Sequence, residues 1–451
     1  MKRTVQAIRG ISVALGLAAM AMPAMAEQPG SPSRVLFTNV NVFDGEHEKL
    51  INNANVLVEG KLIKQVSTST IRADGAVVVD GKQRTLMPGL IDAHWHTMFN
   101  FWPISKVMAA NFGYLSIAAA DASRNTLLRG FTSVRDVGGN SFGVKDAIDS
   151  GLADGPRIYA SGPYIGQTSG HGDFRGPNDV PENPGAPLDY QQRVGHTLLA
   201  DGVPEVMKRT REALRMGATQ IKVMGGGGVS SHYDPLDVTE YTFEEMKAVV
   251  DVARTWNTYV AVHVNTNQAV WQWVEAGAIA MEHGFFIDEE TAKLMAKNGV
   301  WWSMQPMDAT GEDAFVFESP LSQAKYLQAL AGLDQVVALT KKHKVKTAFG
   351  TDLLFDPALA AKQGKFLAKL KKWYSPYEAL KMATHDNAQL LKLCGPRDPY
   401  PGELGVVKEG ALADLILVDG NPLQNLDLVA DADKNFVLIM KDGKIYKNAV
   451  R

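Results

Sequence analysis

Short runs of apolar and β-branched residues recur along the chain, and the spacing between them changes at two places. Near the start, residues 35–42, 56–59, 62–66 and 77–79 form such runs, punctuated by Asn52-Asn53, Gly60 and Asp80-Gly81. The same style returns at 414–418, 436–440 and 444–446, broken by Asp419-Gly420-Asn421-Pro422 and Asp442-Gly443. Apolar runs closed by Gly, Asn and Asp predict strands joined by tight turns. Chain ends of a domain tend to lie close together, so residues 27–86 and 402–451 are expected to pair into one small β-sandwich.

Between these ends the runs are spaced to leave room for helices. They fall at 90–96, 131–137, 157–164, 220–224, 259–264, 278–283, 300–304 and 346–350. Residues 242–255 open on Thr242-Phe243-Glu244-Glu245, a capping-box pattern, and 374–393 opens on Ser375-Pro376 with apolar residues three and four apart. Eight strands alternating with helices predict an α/β fold, a parallel (β/α)8 TIM barrel over residues 87–401. The interval 165–203, rich in Gly, Pro and Asp, reads as an expanded loop on the barrel's functional face.

Composition narrows the possible partners. The chain has 451 residues, a net charge of −3 and no long Lys/Arg run, which disfavours nucleic acid and anionic membrane surfaces. Cys394 is its only cysteine, so no intrachain disulfide can form. Lys2, Arg3 and Arg9 precede an apolar stretch at 11–22 and then Ala24-Met25-Ala26. That is the pattern of a bacterial secretory leader, residues 1–26, cleaved after Ala26, with the periplasm or the outside as destination. The apolar stretch is too short for a bilayer core of about 30 Å, and no second one of membrane length follows. A homo-oligomer is the expected assembly.

The candidate chemistry sits at strand ends. His94 and His96 close the first barrel strand, Lys222 lies on the fourth, His263 on the fifth and His283 on the sixth, and Asp352 follows the eighth. Carboxyl ends of parallel barrel strands converge on one face, so residues far apart in sequence can meet there. Imidazoles and carboxylates suit Zn²⁺ or a similar divalent ion, and alternation turns His94 and His96 to one side of their strand. A lysine ammonium cannot ligate a cation, but a carbamate formed from Lys222 and carbon dioxide can. Taken singly, a strand histidine is more often a hydrogen-bonded core residue, and Asp352 suits a helix cap. The joint placement carries the weight.

The order His-x-His, Lys, His, His, Asp resembles the amidohydrolase superfamily, in its binuclear branch with a carboxylated lysine. Pro88-Gly89-Leu90-Ile91-Asp92-Ala93-His94-Trp95-His96 is similar to that family's opening motif and Gly350-Thr351-Asp352 to its closing one. Ala383-Thr384 with Asn387-Ala388, then Gly405, Gly410 and Ala413-Asp414-Leu415, resemble the return from barrel to β domain. Gly170-His171-Gly172-Asp173 and Ile221-Lys222-Val223-Met224-Gly225 look most like the imidazolonepropionase-related group, which includes Xaa-Pro dipeptidases, carboxypeptidase-like enzymes and ochratoxinase-like amidases.

The resemblance implies hydrolysis of an amide in a small acyl-amino acid or dipeptide-like molecule. It implies two divalent ions, zinc expected, one held by His94, His96 and Asp352 and the other by His263 and His283. An N6-carboxylysine at Lys222 and a hydroxide would bridge them. Asp352 would carry the proton to the leaving nitrogen and His171 would donate to the oxyanion. In deaminases of the superfamily a glutamate stands where this chain has Thr266, which argues against deamination. Some dipeptidase-like relatives have a tyrosine where it has Asn265, which weighs against simple Xaa-Pro specificity.

Substrate contacts are expected from His232, Tyr233, Asn265 and Arg175. Gly225–Gly228 is read as a close turn past the metals rather than a phosphate cradle, since the Gly-Lys-Ser/Thr ending of a P-loop is absent. Arg135 and Asp136 are expected to pair, and His47, His196, His343 and His385 to lie on the surface or on helices. Cyclic-amide, lactone or phosphotriester hydrolysis is the alternative chemistry on the same site. A periplasmic metal-binding scaffold is the alternative without catalysis.

Overall fold

The computed structural model describes residues 34–450 apart from 177, 184 and 232. The expected leader and His232 therefore lie outside the described residues. Among those described, no helix is long and apolar enough to cross a membrane.

The barrel has eight parallel strands: Leu90–Trp95, Phe131–Asp136, Arg157–Ala160, Ile221–Met224, Val260–Thr266, Ala280–Phe286, Trp301–Met304 and Lys346–Phe349. Backbone ladders join strands one to three and four to eight. Side chains stitch the two remaining seams. Between strands three and four, Gln220 Nε2 donates to the carbonyls of Tyr159 (2.8 Å) and Asp136 (3.1 Å). Between strands eight and one, Asn387 Nδ2 donates to the carbonyls of Ile91 (2.7 Å) and Phe349 (2.8 Å), and its Oδ1 accepts from the Phe349 amide (3.0 Å). At both seams a buried amide side chain thus adds hydrogen bonds to strand backbone groups.

Asn387 reaches that seam because its helix is irregular. The stretch expected as one helix over 374–393 starts on a Ser375/Glu378 capping box at Pro376–Lys381. It then passes through a π-helical turn, Met382–Asp386, before resuming at Asn387–Leu391. A π turn inserts an extra residue and changes which side chains face inward.

Two other expectations are modified. The third strand stops at Ala160, because Gly162 (φ 68°) and Pro163 break it, and Tyr164–Gly166 forms a separate short strand beside Thr197–Leu199. Thr85–Pro88 is a strand the periodicity did not single out. It lies between Arg34–Val42 and Leu415–Val418 in one eight-stranded sheet made from both ends of the described chain. The expected sandwich core is enclosed by this single sheet: Val35, Phe37 and Val56 share it with Leu415, Leu417 and Met440.

Candidate active site

The opening and closing motifs of the barrel are one hydrogen-bonded unit. Asp92, fully buried on strand one, accepts from the amides of His94 (3.0 Å) and Thr351 (3.1 Å) and from Thr351 Oγ1 (2.6 Å) and Gln363 Nε2 (2.8 Å). The Asp352 amide then donates to the His94 carbonyl (2.9 Å). This clasp places Asp352 across from both strand-one histidines. Its Oδ1 lies 3.2 Å from His94 Nε2 and 3.1 Å from His96 Nε2. One ligand atom from each of the three residues falls within a 4.8 Å span. Asp352 (φ 52°) and His283 (φ 71°) both hold the left-handed backbone conformation that most residues avoid, a strain that concentrates at functional sites.

Around this trio stand Lys222, His263 and His283, all buried. The rings of His94 and His283 are 5.0 Å apart, and those of His263 and His283 are 4.5 Å apart. Burial holds His263 well below the usual imidazole range, helped by His171 and His283, and takes His283 down to about 3. Burial lowers His96 as well. Burial is the largest single influence on His94 and lowers it, but Asp352 and Glu282 together raise it, and Asp352 is held well below the usual carboxylate range against its own burial, chiefly by His94. Burial pushes Lys222 down to about 8, with Glu282 and Asp352 opposing. The lowered imidazoles of His96, His263 and His283, an ionised Asp352 and a readily deprotonated Lys222 are in the forms that bind a divalent cation or form a carbamate, while His94 alone is biased towards its charged form by its carboxylate neighbours. The donor set fits a metal.

Two histidines of the cluster are oriented from behind by residues that sequence reasoning missed. Glu282 Oε2 accepts from His94 Nδ1 (2.7 Å), which leaves Nε2 turned towards Asp352, and its Oε1 meets Arg135 Nη2 (2.6 Å). Gln305 Oε1 accepts from His283 Nδ1 (2.8 Å). A partner on the far nitrogen of a ligating histidine fixes its tautomer and direction. Glu282 carried a signal, standing next to His283 on a strand that is otherwise apolar. The expected Arg135–Asp136 pair is corrected: adjacent strand residues face opposite ways, so Arg135 goes inward to Glu282 while Asp136 takes Ser141 Oγ and the Thr97 amide.

A cavity of 730 Å³ opens above the cluster and is lined by His94, His96, Lys222, His263, His283 and Asp352. His171, Asn265, Tyr233 and Arg175 line it too, so every described residue expected from sequence to hold metal, catalyse or touch substrate meets one space. The His171 ring stacks on His263, centroids 4.1 Å apart and 18° between planes. A Cβ on Gly228 would overlap that ring, which is why the loop after strand four must be glycine there. Asn265 Nδ2 donates to the Gly227 carbonyl (2.9 Å), leaving its buried Oδ1 without a partner among the described residues. Arg175 forms a bidentate pair with Asp173, so its charge is already matched. Thr266 caps the following helix through the Ala269 amide (3.2 Å). His196 departs from expectation: it is buried beside Phe99 and Phe112, and burial takes it down to about 4.

The profile of the Amidohydrolase family matches residues 85–447, from the strand that leads into the barrel to the last strand of the sheet. The chain belongs to the amidohydrolase family. Among its relatives is the ochratoxinase of Aspergillus niger, 33% identical over 377 residues, covering 80% of this chain and 75% of that one. The A. niger ochratoxinase crystal structure superposes with a TM-score of 0.79 at 26% identity, covering 93% of this amidohydrolase and 96% of the other chain. Another amidohydrolase crystal structure reaches 0.85 at 35% identity, covering 93% and 100%. A prolidase complexed with N-methylphosphonate-L-proline reaches 0.83 at 32%, covering 92% and 100%. This amidohydrolase is a hydrolase acting on amide bonds.

Proposed function

We propose that this amidohydrolase is metal-dependent and cleaves the amide of a small acyl-amino acid or dipeptide-like molecule. The observation that carries the reading is the convergence of His94, His96 and Asp352 within 4.8 Å on the floor of a cavity also lined by Lys222, His263 and His283. One ion would be held by His94, His96 and Asp352 and a second by His263 and His283, with a carbamate on Lys222 shared between them. Zinc is the expected metal, from the nitrogen-rich donor set. When bound, such ions acidify water and polarise a carbonyl.

The chain's own side chains supply the rest. Asp352 accepts a proton at its carboxylate and returns it to the departing nitrogen, a step amides need because an unprotonated amide anion leaves poorly. His171, its Nδ1 occupied by Ser231 and Asp234, keeps Nε2 for the oxyanion of the attacked carbonyl. The unpartnered Asn265 Oδ1 suits an N–H of the substrate. Met108, Phe174, Phe315, Phe317 and Phe355 give the cavity an apolar wall for an acyl group or side chain. The relatives support this class of substrate through an ochratoxinase and a prolidase. A periplasmic or secreted location rests on residues 1–26 alone.

The test is a zinc-loaded preparation screened against N-acyl amino acids and dipeptides that vary in the C-terminal residue, beside Lys222→Ala. Turnover is expected in the parent. The variant should lose metal and activity together, with partial rescue by short carboxylic acids. Bound metal without turnover of any amide would favour the scaffold alternative, and full activity in Lys222→Ala would refute the role given to Lys222.

A further inference from the structure

The helix Pro320–Ala331, in the loop after strand seven, buries Ser322, Lys325, Tyr326 and Ala329, residues at three- and four-residue spacing on one face. A lysine on such a face is costly unless its ammonium is fully engaged. Here Lys325 Nζ donates to three carbonyls of the loop after strand four: Gly228 (3.0 Å), Ser231 (2.9 Å) and Asp234 (2.6 Å). The loop gripped in this way carries the Asp234 carboxylate. Asp234 Oδ2 accepts from the Gly228 amide (2.6 Å) and lies 3.2 Å from His171 Nδ1, while Ser231 Oγ meets the same nitrogen at 2.7 Å. On its other side, the His171 amide donates to buried Glu240 (2.7 Å). Three separate loops therefore converge to fix one imidazole against His263. The same helix face reaches the substrate space, where Ser322, Tyr326, Ala329 and Leu330 line the cavity.

We propose that Lys325 and Asp234 are positioning residues that hold His171 over the cluster, and that helix Pro320–Ala331 couples filling of the apolar chamber to the placement of this donor. The inference rests on the proposed function for His171's role in turnover, while the clamp itself is a property of the fold. A wall that bears on substrate and also grips the catalytic loop makes tight binding and good geometry a single event. Misplacing a catalytic group by about 1 Å is enough to lower a rate on the order of a hundredfold.

A double-mutant cycle with Lys325→Met and His171→Ala on a zinc-loaded enzyme tests it. His171→Ala is expected to lower kcat about a hundredfold and Lys325→Met about tenfold or more, with KM changing less than about threefold and metal content unchanged. In the His171→Ala background Lys325→Met should have little further effect, and Lys325→Arg should restore part of the loss. Independent, multiplying losses would overturn the positioning role. Coupling is read from substrates with progressively larger apolar acyl groups: kcat should rise with size in the parent and stay flat in Lys325→Met. An equal response in both would overturn it. Should Lys325→Met fail to fold, Asp234→Asn enters the same cycle. Backbone hydrogen exchange separates these outcomes from failure of the functional reading. Even in a protein that turns over no amide, loosening the clamp should speed exchange at both 226–234 and 167–173. Acceleration confined to 320–331 would sink the clamp whatever the protein hydrolyses.

Discussion

The sheet built from the two chain ends and the mouth of the barrel are both buried, but by opposite chemistry. Val35, Phe37, Leu417, Leu438 and Met440 in the sheet need only one another, because apolar burial is non-directional. At the mouth Asp92, His94, Arg135, Lys222 and Glu282 are packed just as deeply, with Asp352 half-buried at their edge, and each charge or dipole needs a specific partner. Stability in the first region is spread over many interchangeable contacts. In the second it runs through a chain of dependencies, Arg135 to Glu282 to His94 to Asp352, in which removing one member exposes the next.

Asp352→Asn breaks the contrast most strongly. It keeps shape and an oxygen ligand but removes the basic site, so kcat on ordinary amides should fall at least about a hundredfold while metal content falls modestly. The loss should shrink for anilides or aryl esters with good leaving groups. Near-parental rates with both metals in place would reduce Asp352 to a capping residue. Glu282→Ala comes next: it strands the buried Arg135 charge and should cost about 3–5 kcal/mol in denaturant melts, together with activity. Replacing both partners, Arg135→Met with Glu282→Leu, should recover much of that stability but not the rate, because His94 still lacks its acceptor. Leu417→Ala in the sheet should cost about 2–5 kcal/mol as well. Its kcat per folded molecule should match the parent, and a large fall there would mean the two regions are not separable as described.

The smallest effect concerns Glu240, raised to about 9 by burial, with Asp234 and Asp173 adding to it. A carboxyl with a raised folded-state pKa takes up a proton on folding. Its contribution to stability is full below its unfolded value near 4.5 and is lost as pH rises through about 9. Glutamine does not titrate. The Tm of Glu240→Gln should therefore equal the parent's near pH 5 and gain on it steadily up to pH 9, and a gap that narrowed with pH would reverse the assignment.

The same contrast decides what the sequence made legible. Periodicity located all eight barrel strands and most of the sheet, because one apolar face is enough to specify a strand. Strand-end placement brought His94, His96, Lys222, His263, His283 and Asp352 into a single cavity. What escaped were partners defined only by closure in three dimensions. Glu282 and Gln305 orient histidines on other strands, Asn387 fills a seam only because a π turn delivers it, and Lys325 is buried only because three carbonyls of another loop receive its ammonium. Arg135 was assigned to its sequence neighbour when its partner lay across the barrel. Each is a polar group whose reason for being buried lies on a different element.

The strand Thr85–Pro88 has a consequence for how the protein is made. It is wedged between a strand from the front of the chain and Leu415–Val418 from the back, and Gly89, which leads straight into the first barrel strand, donates its amide to the Asp414 carbonyl (2.8 Å). On the ribosome the front strands and the whole barrel emerge before that back strand exists. Until it arrives, Leu86 and Met87 have an open edge, the kind of surface on which partly made chains stick to one another. Synthesis of Leu415–Val418 thus acts as the closing stroke for the first turn of the barrel.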